Sequence, residues 1–119
     1  MNDTASSDQA AIDPPDVIRR YQDAHDRHDT ETALATFTPD ARVIDEGHEH
    51  KGTDAIRHWL ETAATEFTYT RTLITAESLD HKTWLVVNRL EGDFPGGVVD
   101  LRYRFQLSGG LISELVIAP

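Results

Sequence analysis

Apolar side chains recur every three or four residues in the first half of the chain, a spacing typical of helices. The first predicted helix follows Asp13, Pro14 and Pro15, because a capping carboxylate followed by prolines marks a helix start. Its buried stripe is predicted to consist of Val17, Ile18, Tyr21, Ala24, His25 and His28. Thr30 is predicted to cap a second, short helix that carries Phe37 and ends at Pro39.

Thr53 is predicted to cap a third helix, after a strand over residues 41–46 and a turn or short edge strand over residues 47–52. Its apolar stripe consists of Ile56, Trp59, Leu60, Ala63, Ala64 and Phe67. The period then changes to two, which predicts long strands near residues 68–79, 83–93, 97–107 and 111–117. This order predicts an α+β fold in which three N-terminal helices pack on one face of a curved sheet.

The first residues of the chain differ in composition from the rest. Residues 1–12 are small, polar and partly acidic, with no periodicity, and are predicted to form a disordered acidic tail. Residues 13–119 contain no internal repeat or linker and are predicted to form a single domain.

Charge and cysteine content exclude several classes of function. The 21 Asp and Glu outnumber the 11 Lys and Arg, and the formal net charge of −10 argues against binding to nucleic acid or to anionic membranes. The absence of cysteine excludes disulfides, thiolate zinc sites and cysteine nucleophiles. No apolar run approaches the roughly 20 residues of a membrane span, and we expect a soluble, cytoplasmic protein.

Strand parity directs one carboxylate inward. Asp45 shares a strand face with Ala41 and Val43, and a carboxylate held among apolar groups is well suited to act as a general base. The alternative is that Asp45 merely begins the turn at Gly47, since Asp is favoured in turns.

One further polar side chain falls on an apolar strand face. Asn88 shares a face with Trp84, Val86 and Leu90, and a buried amide either bonds the nearby backbone or awaits a ligand. On the next strand the apolar face consists of Val99, Leu101, Tyr103, Phe105 and Leu107. Its opposite face carries Asp100, Arg102, Arg104 and Gln106.

Tyr21 and His25 lie one turn apart on the first helix, where they are either core residues or part of a site. The histidine pairs His25/His28 and His48/His50 lack a convincing third ligand, so no metal site is predicted. The sequence contains no nucleophile elbow, phosphate-binding glycine loop or dinucleotide fingerprint.

The chain resembles the SnoaL-like and ketosteroid-isomerase-like members of the nuclear transport factor 2-like superfamily. The residues that carry the resemblance are 17–21, His28 with Asp29, 33–41, 43–45 and 52–57. The resemblance implies a cone-shaped α+β barrel of three helices and a mixed, mainly antiparallel sheet, an open pocket, and frequent dimerisation through the outer sheet face. The outer positions Arg102, Arg104 and Gln106 are consistent with such a homodimer.

The resemblance also implies roles for single residues. In ketosteroid isomerases an aspartate moves a proton beside a ketone, while a tyrosine and a protonated carboxylic acid hydrogen-bond the oxyanion. Asp45 matches the general base and Tyr21 the tyrosine, but Leu101 stands where the second donor belongs. Asn88 or His25 is the candidate substitute, and a faithful steroid isomerase is not expected.

These observations predict a cofactor-independent enzyme of isomerase, cyclase or dehydratase type that acts on a small ketone-like or polyketide-like molecule. Asp45 is the predicted base and Tyr21 the carbonyl donor, with His25 or Asn88 as auxiliary polar contacts. The predicted core or pocket wall consists of Trp59, Phe67, Trp84, Val86, Leu101, Tyr103 and Phe105. The alternatives are a non-catalytic ligand-binding or dimeric interaction module, and an epoxide hydrolase relative, which requires an inward arginine.

Overall fold

The computed structural model describes residues 13–119, except for the side chains of residues 63–66. The predicted disordered tail over residues 1–12 lies outside the described residues. None of the helices in the described part of the chain is long and apolar enough to cross a membrane.

Three helices form where the apolar periodicity predicts them: α1 (Asp16–Asp26), α2 (Thr30–Leu34) and α3 (Thr53–Glu66). The predicted caps Asp13, Thr30 and Thr53 are wrong, because the N-caps of the three helices are Pro15, Asp29 and Gly52. Asp29, rather than Thr30, caps α2 by accepting a hydrogen bond from the Thr32 backbone N–H at 3.2 Å. His28 is exposed beyond the end of α1 in the left-handed region, at φ 59°, and therefore does not belong to the buried stripe.

The described residues also form six strands, two between the second and third helices and four after the third. They are β1 (Phe37–Asp45), β2 (His48–Lys51), β3 (Tyr69–Ser78), β4 (Thr83–Gly92), β5 (Val98–Ser108) and β6 (Leu111–Ala118). They form one sheet in the order β2-β1-β6-β5-β4-β3, in which β1 and β6 are parallel and every other pair is antiparallel. The predicted α+β fold with a mixed, mainly antiparallel sheet is confirmed, and residues 48–51 form the short edge strand.

The start of β1 departs from the sequence prediction. Residues 37–40 belong to β1 rather than to the second helix, because Phe37 lies opposite Ile112 of β6 in the parallel ladder. Pro39 sits where the register of that ladder shifts, between Phe37 and Arg42. A proline without an N–H is tolerated at such an irregularity. Pairing with a strand more than 70 positions away thus overrides the local helical pattern.

The helices cover one face of the sheet and enclose the core. Helix α1 packs on β6, and α3 packs on β1 and β2. The alternating strand positions that point towards the helices supply much of the core, including Val43, Val86, Phe105 and Leu115. The opposite face carries exposed Arg102, Arg104 and Gln106, as parity predicts.

Candidate active site

A cavity of about 540 Å³ lies between the helices and the inner face of the sheet. Its lining is mostly apolar, with a small number of polar groups, which is typical of small-molecule sites. The side chains come from both helical and strand elements: Tyr21, His25, Asp45, Glu46, Trp59, Phe67, Tyr69, Leu90, Phe94, Pro95, Val99, Leu101, Tyr103, Ile117, Ala118 and Pro119, with Gly47.

Asp45 is the last residue of β1 and lies half-buried at the cavity. The two residues that follow it, Glu46 and Gly47, both have positive φ (52° and 78°), as a tight two-residue hairpin turn requires. Asp45 pairs with His48 across this turn. The two sequence interpretations are therefore compatible, because the residue that precedes the turn also faces the cavity.

The carboxylate of Asp45 is held in place from α3. The indole N–H of Trp59 donates a hydrogen bond to Asp45 Oδ2 at 3.0 Å. Trp59 is itself buried, with its ring 6.1 Å from that of His25 and 6.0 Å from that of His50. A hydrogen bond to a carboxylate from a rigid, packed donor fixes the orientation of the carboxylate.

Tyr21 of α1 is 2% exposed, and its ring packs edge-on against Phe37 and Phe105 at 5.4 and 5.8 Å. Its hydroxyl has no hydrogen-bond partner among the described residues, and the side chain lines the cavity. Burial, followed by the proximity of Tyr103, raises the pKa of Tyr21 well above 10. The phenol is therefore a proton-bearing donor at neutral pH, available to an acceptor in the cavity.

His25 lies between the rings of Tyr21 and Trp59. Its ring is 5.9 Å from the ring of Tyr21 and 6.1 Å from that of Trp59. Burial lowers the pKa of His25 below 6.5, more than the neighbouring carboxylate of Asp26 raises it. A neutral imidazole at pH 7 can donate or accept a hydrogen bond but supplies no positive charge.

Seven of the eleven predicted site residues line the cavity: Asp45, Tyr21, His25, Trp59, Phe67, Leu101 and Tyr103. Phe67 follows the end of α3 and meets Phe94 edge-on at 6.0 Å. Leu101 and Tyr103 are neighbouring inward positions of β5.

The other four predicted site residues do not line the cavity. Val86 and Phe105 are fully buried in the core, and Trp84 packs against it. Trp84 and Phe105 are cross-strand partners one inward position beyond Tyr103, where the helices already cover the sheet. Parity identified the inward face correctly but could not tell which part of that face is left open.

Asn88 has a partner that sequence reasoning did not consider. Its Oδ1 accepts a hydrogen bond from Arg71 at 3.3 Å, rather than bonding the backbone, and its buried Nδ2 has no partner among the described residues. The Arg71 side chain, 14% exposed, also pairs with Asp26 of α1 at 2.8 Å. Asn88 therefore belongs to a polar contact between sheet and helix, outside the cavity.

Several lining residues were missed, above all Tyr69 of β3. Burial raises its pKa, and its hydroxyl also lacks a hydrogen-bond partner among the described residues. Leu90 and Val99 lie on the apolar strand faces that alternation predicts, so the sequence indicated that they point inward. For Tyr69, the available signal was strand alternation, because Tyr69 shares a face of β3 with Arg71, which points inward.

Arginine is absent from the described cavity wall. Arg102 and Arg104 are exposed on the outer face, and the inward Arg71 is engaged by Asp26 and Asn88. The arrangement expected of an epoxide hydrolase relative, with an arginine beside the reacting water, is not found in the described cavity.

The model of the SnoaL-like domain family matches residues 18–115. No curated protein matches the chain. Among solved structures, a proposed polyketide cyclase from Sinorhizobium meliloti is 36% identical, with a TM-score of 0.82 over 88% of this chain and 95% of that one.

More distant structures share the fold. A Mycobacterium tuberculosis protein in complex with estradiol-17β-hemisuccinate is 20% identical, with a TM-score of 0.73 over 87% of this chain and 90% of that one. A Catenulispora acidiphila protein with a ketosteroid isomerase-like fold, in complex with trimethylamine, is 14% identical, with a TM-score of 0.79 over 90% of this chain and 87% of that one.

Proposed function

Since the chain belongs to the SnoaL-like domain family, we propose that it is an isomerase, cyclase or dehydratase that moves a proton beside the carbonyl group of a small apolar molecule. One observation carries the proposal: the Asp45 carboxylate and the unpartnered Tyr21 hydroxyl line the same apolar cavity. A base and an oxyanion donor are the two groups that enolisation of a ketone requires.

In the proposed reaction Asp45 removes a proton from the carbon next to the carbonyl. The electron pair of the broken C–H bond forms the enolate C=C bond, and the carbonyl π electrons move to oxygen. Tyr21 stabilises that oxygen by a hydrogen bond without giving up its own proton. If the substrate is an enone, the dienolate takes the proton back from Asp45 at a different carbon, which gives an isomer. If the enolate carbon instead attacks a second carbonyl carbon, a C–C bond forms and the resulting alkoxide takes the proton from Asp45, which gives a cyclised product.

The composition of the cavity wall supports the proposed substrate class. Side chains such as Phe67, Leu90, Phe94 and Leu101 favour an apolar ring or chain, and about 540 Å³ is enough for one drug-sized molecule. The steroid ester bound by the Mycobacterium tuberculosis protein supports a rigid, largely apolar ligand, and the proposed polyketide cyclase from Sinorhizobium meliloti supports a ketone-bearing one.

The test is carbon–hydrogen exchange in D₂O on a panel of cyclic enones and polyketide-like ketones. Asp45→Asn should slow exchange by about 10²-fold or more, because loss of a general base removes that much rate. Asp100→Asn is the matched control, since Asp100 is exposed and ion-paired with Arg89. Equal rates for the wild type and Asp45→Asn would contradict the assignment of the base.

A non-catalytic binding module is the second candidate, favoured by Leu101 at the position where a second donor is expected. It predicts that a small apolar molecule stays bound in native mass spectrometry while no panel ketone exchanges. Exchange that depends on Asp45 would rule this candidate out.

A further inference from the structure

A carbonyl oxygen that becomes an enolate is best stabilised by two donors, and the cavity supplies only Tyr21 at an expected position. Leu101 has no donor. Asn88 does not line the cavity and is engaged by Arg71. The remaining phenols of the cavity wall are Tyr69 and Tyr103.

Sheet register places Tyr103 and Asp45 on one transverse row of the inner face. Tyr103 lies directly opposite Ile117 of β6, and Ile117 lies directly opposite Asp45 of β1. Neighbouring strands are about 4.8 Å apart, so the two backbones are separated by about 10 Å with Ile117 between them. All three side chains line the cavity, which leaves room for a ring above Ile117 with the carboxylate on one side and the phenol on the other.

Tyr103 is also close to the first donor. Its ring is stacked on Phe105 at 6.3 Å, and Phe105 meets Tyr21 edge-on at 5.8 Å. Burial is the largest cause of the raised pKa of Tyr21, and the proximity of Tyr103 is the second largest. The Tyr103 hydroxyl has no hydrogen-bond partner among the described residues, and burial holds its pKa far above 10.

We infer that Tyr103 donates the second hydrogen bond to the substrate oxygen, from the inward position next to Leu101 on β5. Tyr21 and Tyr103 then hold the oxygen from the helix and from the sheet, while Asp45 faces the acidic carbon from the other end of the row. His25 is on the side of the base, since its ring packs against Trp59, which bonds Asp45. This inference rests on the proposed function, and Tyr103 is on that basis a catalytic residue.

The test measures binding of 2-naphthol, a fluorescent phenol whose ionised oxygen resembles an enolate. Asp45→Asn provides the background, because a neutral side chain there imitates the base after it has accepted the proton. In this background Tyr103→Phe should weaken binding by about 10-fold to 100-fold, the usual effect of losing a hydrogen bond to a charged oxygen. Tyr21→Phe should have a comparable effect.

Tyr69→Phe tests the rival donor, because it removes the remaining phenol of the same cavity, on β3, two strands beyond β5. The loss of affinity should be smaller for Tyr69→Phe than for Tyr103→Phe, because Tyr69 lies two strands further from the row that carries Tyr103, Ile117 and Asp45. A loss confined to Tyr69→Phe would overturn the inference and assign the donor to β3.

A series of phenols of increasing acidity separates a direct hydrogen bond from a structural role. Affinity should rise with acidity in Asp45→Asn and should rise less steeply when Tyr103→Phe is added, whereas a structural defect would weaken every phenol equally. Unchanged naphthol binding in a Tyr103→Phe protein with the wild-type circular dichroism spectrum would overturn the inference. The proposed function is judged separately, by the dependence of exchange on Asp45.

Discussion

Asp45, Trp59 and His25 show how single residues acquire their properties from their neighbours. Asp45 ends a strand, and Trp59 reaches it from a different helix with an indole N–H at 3.0 Å. His25 lies against that same indole and is shielded from water, which lowers its pKa. The chemistry of each side chain therefore depends on a contact with a residue that is distant in sequence.

The pH dependence of the free energy of unfolding should reflect the buried environment of His25. Its pKa is below 6.5 in the folded protein, so the unfolded chain binds a proton there more readily. The free energy of unfolding should consequently fall as pH drops below about 6.5 and continue to fall until the folded-state pKa is reached. Urea unfolding between pH 7.5 and pH 5 measures this fall.

His25→Gln should reduce the loss of stability in that pH range, because the variant cannot take up the proton. His58→Gln is the control, since His58 is exposed on α3 and should leave the wild-type dependence intact. The same pH dependence in His25→Gln and in the wild type would contradict the prediction.

At the scale of elements, a polar contact between α1 and the sheet lies beside the apolar core. Arg71 of β3 reaches Asp26 of α1 at 2.8 Å and Asn88 of β4 at 3.3 Å. Helix α1 also carries Tyr21 and His25. The position of two cavity side chains therefore depends on a contact formed outside the cavity.

Arg71→Met should lower the free energy of unfolding by about 2 kcal/mol, because it leaves the buried Asn88 carbonyl without its donor. Arg89→Met should cost no more than about 1 kcal/mol, because Arg89 and Asp100 form an exposed ion pair on the outer face. Urea unfolding of the two variants gives the comparison. Equal costs would show that the Arg71 contact contributes no more than a surface pair.

At the scale of the whole molecule, the sheet has a covered and an uncovered side. The helices and the core occupy the inner face, while the outer face of β5 presents Arg102, Arg104 and Gln106 to solvent. The homodimer predicted from the sequence would use this outer face. A cytoplasmic location is likewise a prediction from the sequence.

Light scattering at micromolar concentration should give a mass near twice 13.3 kDa if the homodimer forms. Arg104→Glu should shift the population towards the monomer, because the change in charge occurs twice in a two-fold symmetric interface. Arg20→Glu, on the exposed face of α1, is the control and should leave the mass unchanged. A wild-type mass of 13.3 kDa would contradict the dimer.

The sequence by itself determined the three helices, the alternating strands and the inward direction of Asp45, Asn88 and Tyr103. Helical and strand periodicities are local properties, since a side chain's face follows from its position along its own element. The matched family residues likewise placed Tyr21 and Asp45 together, and both line the cavity.

The tertiary structure decided which inward residues meet the cavity and which are buried in the core. Phe105 and Tyr103 share one face of β5, yet the first is covered by helices and the second lines open space. The extension of β1 through Pro39 and the row from Asp45 through Ile117 to Tyr103 depend on the register between β1 and β6. Such register joins residues about 70 positions apart, and no local pattern encodes it.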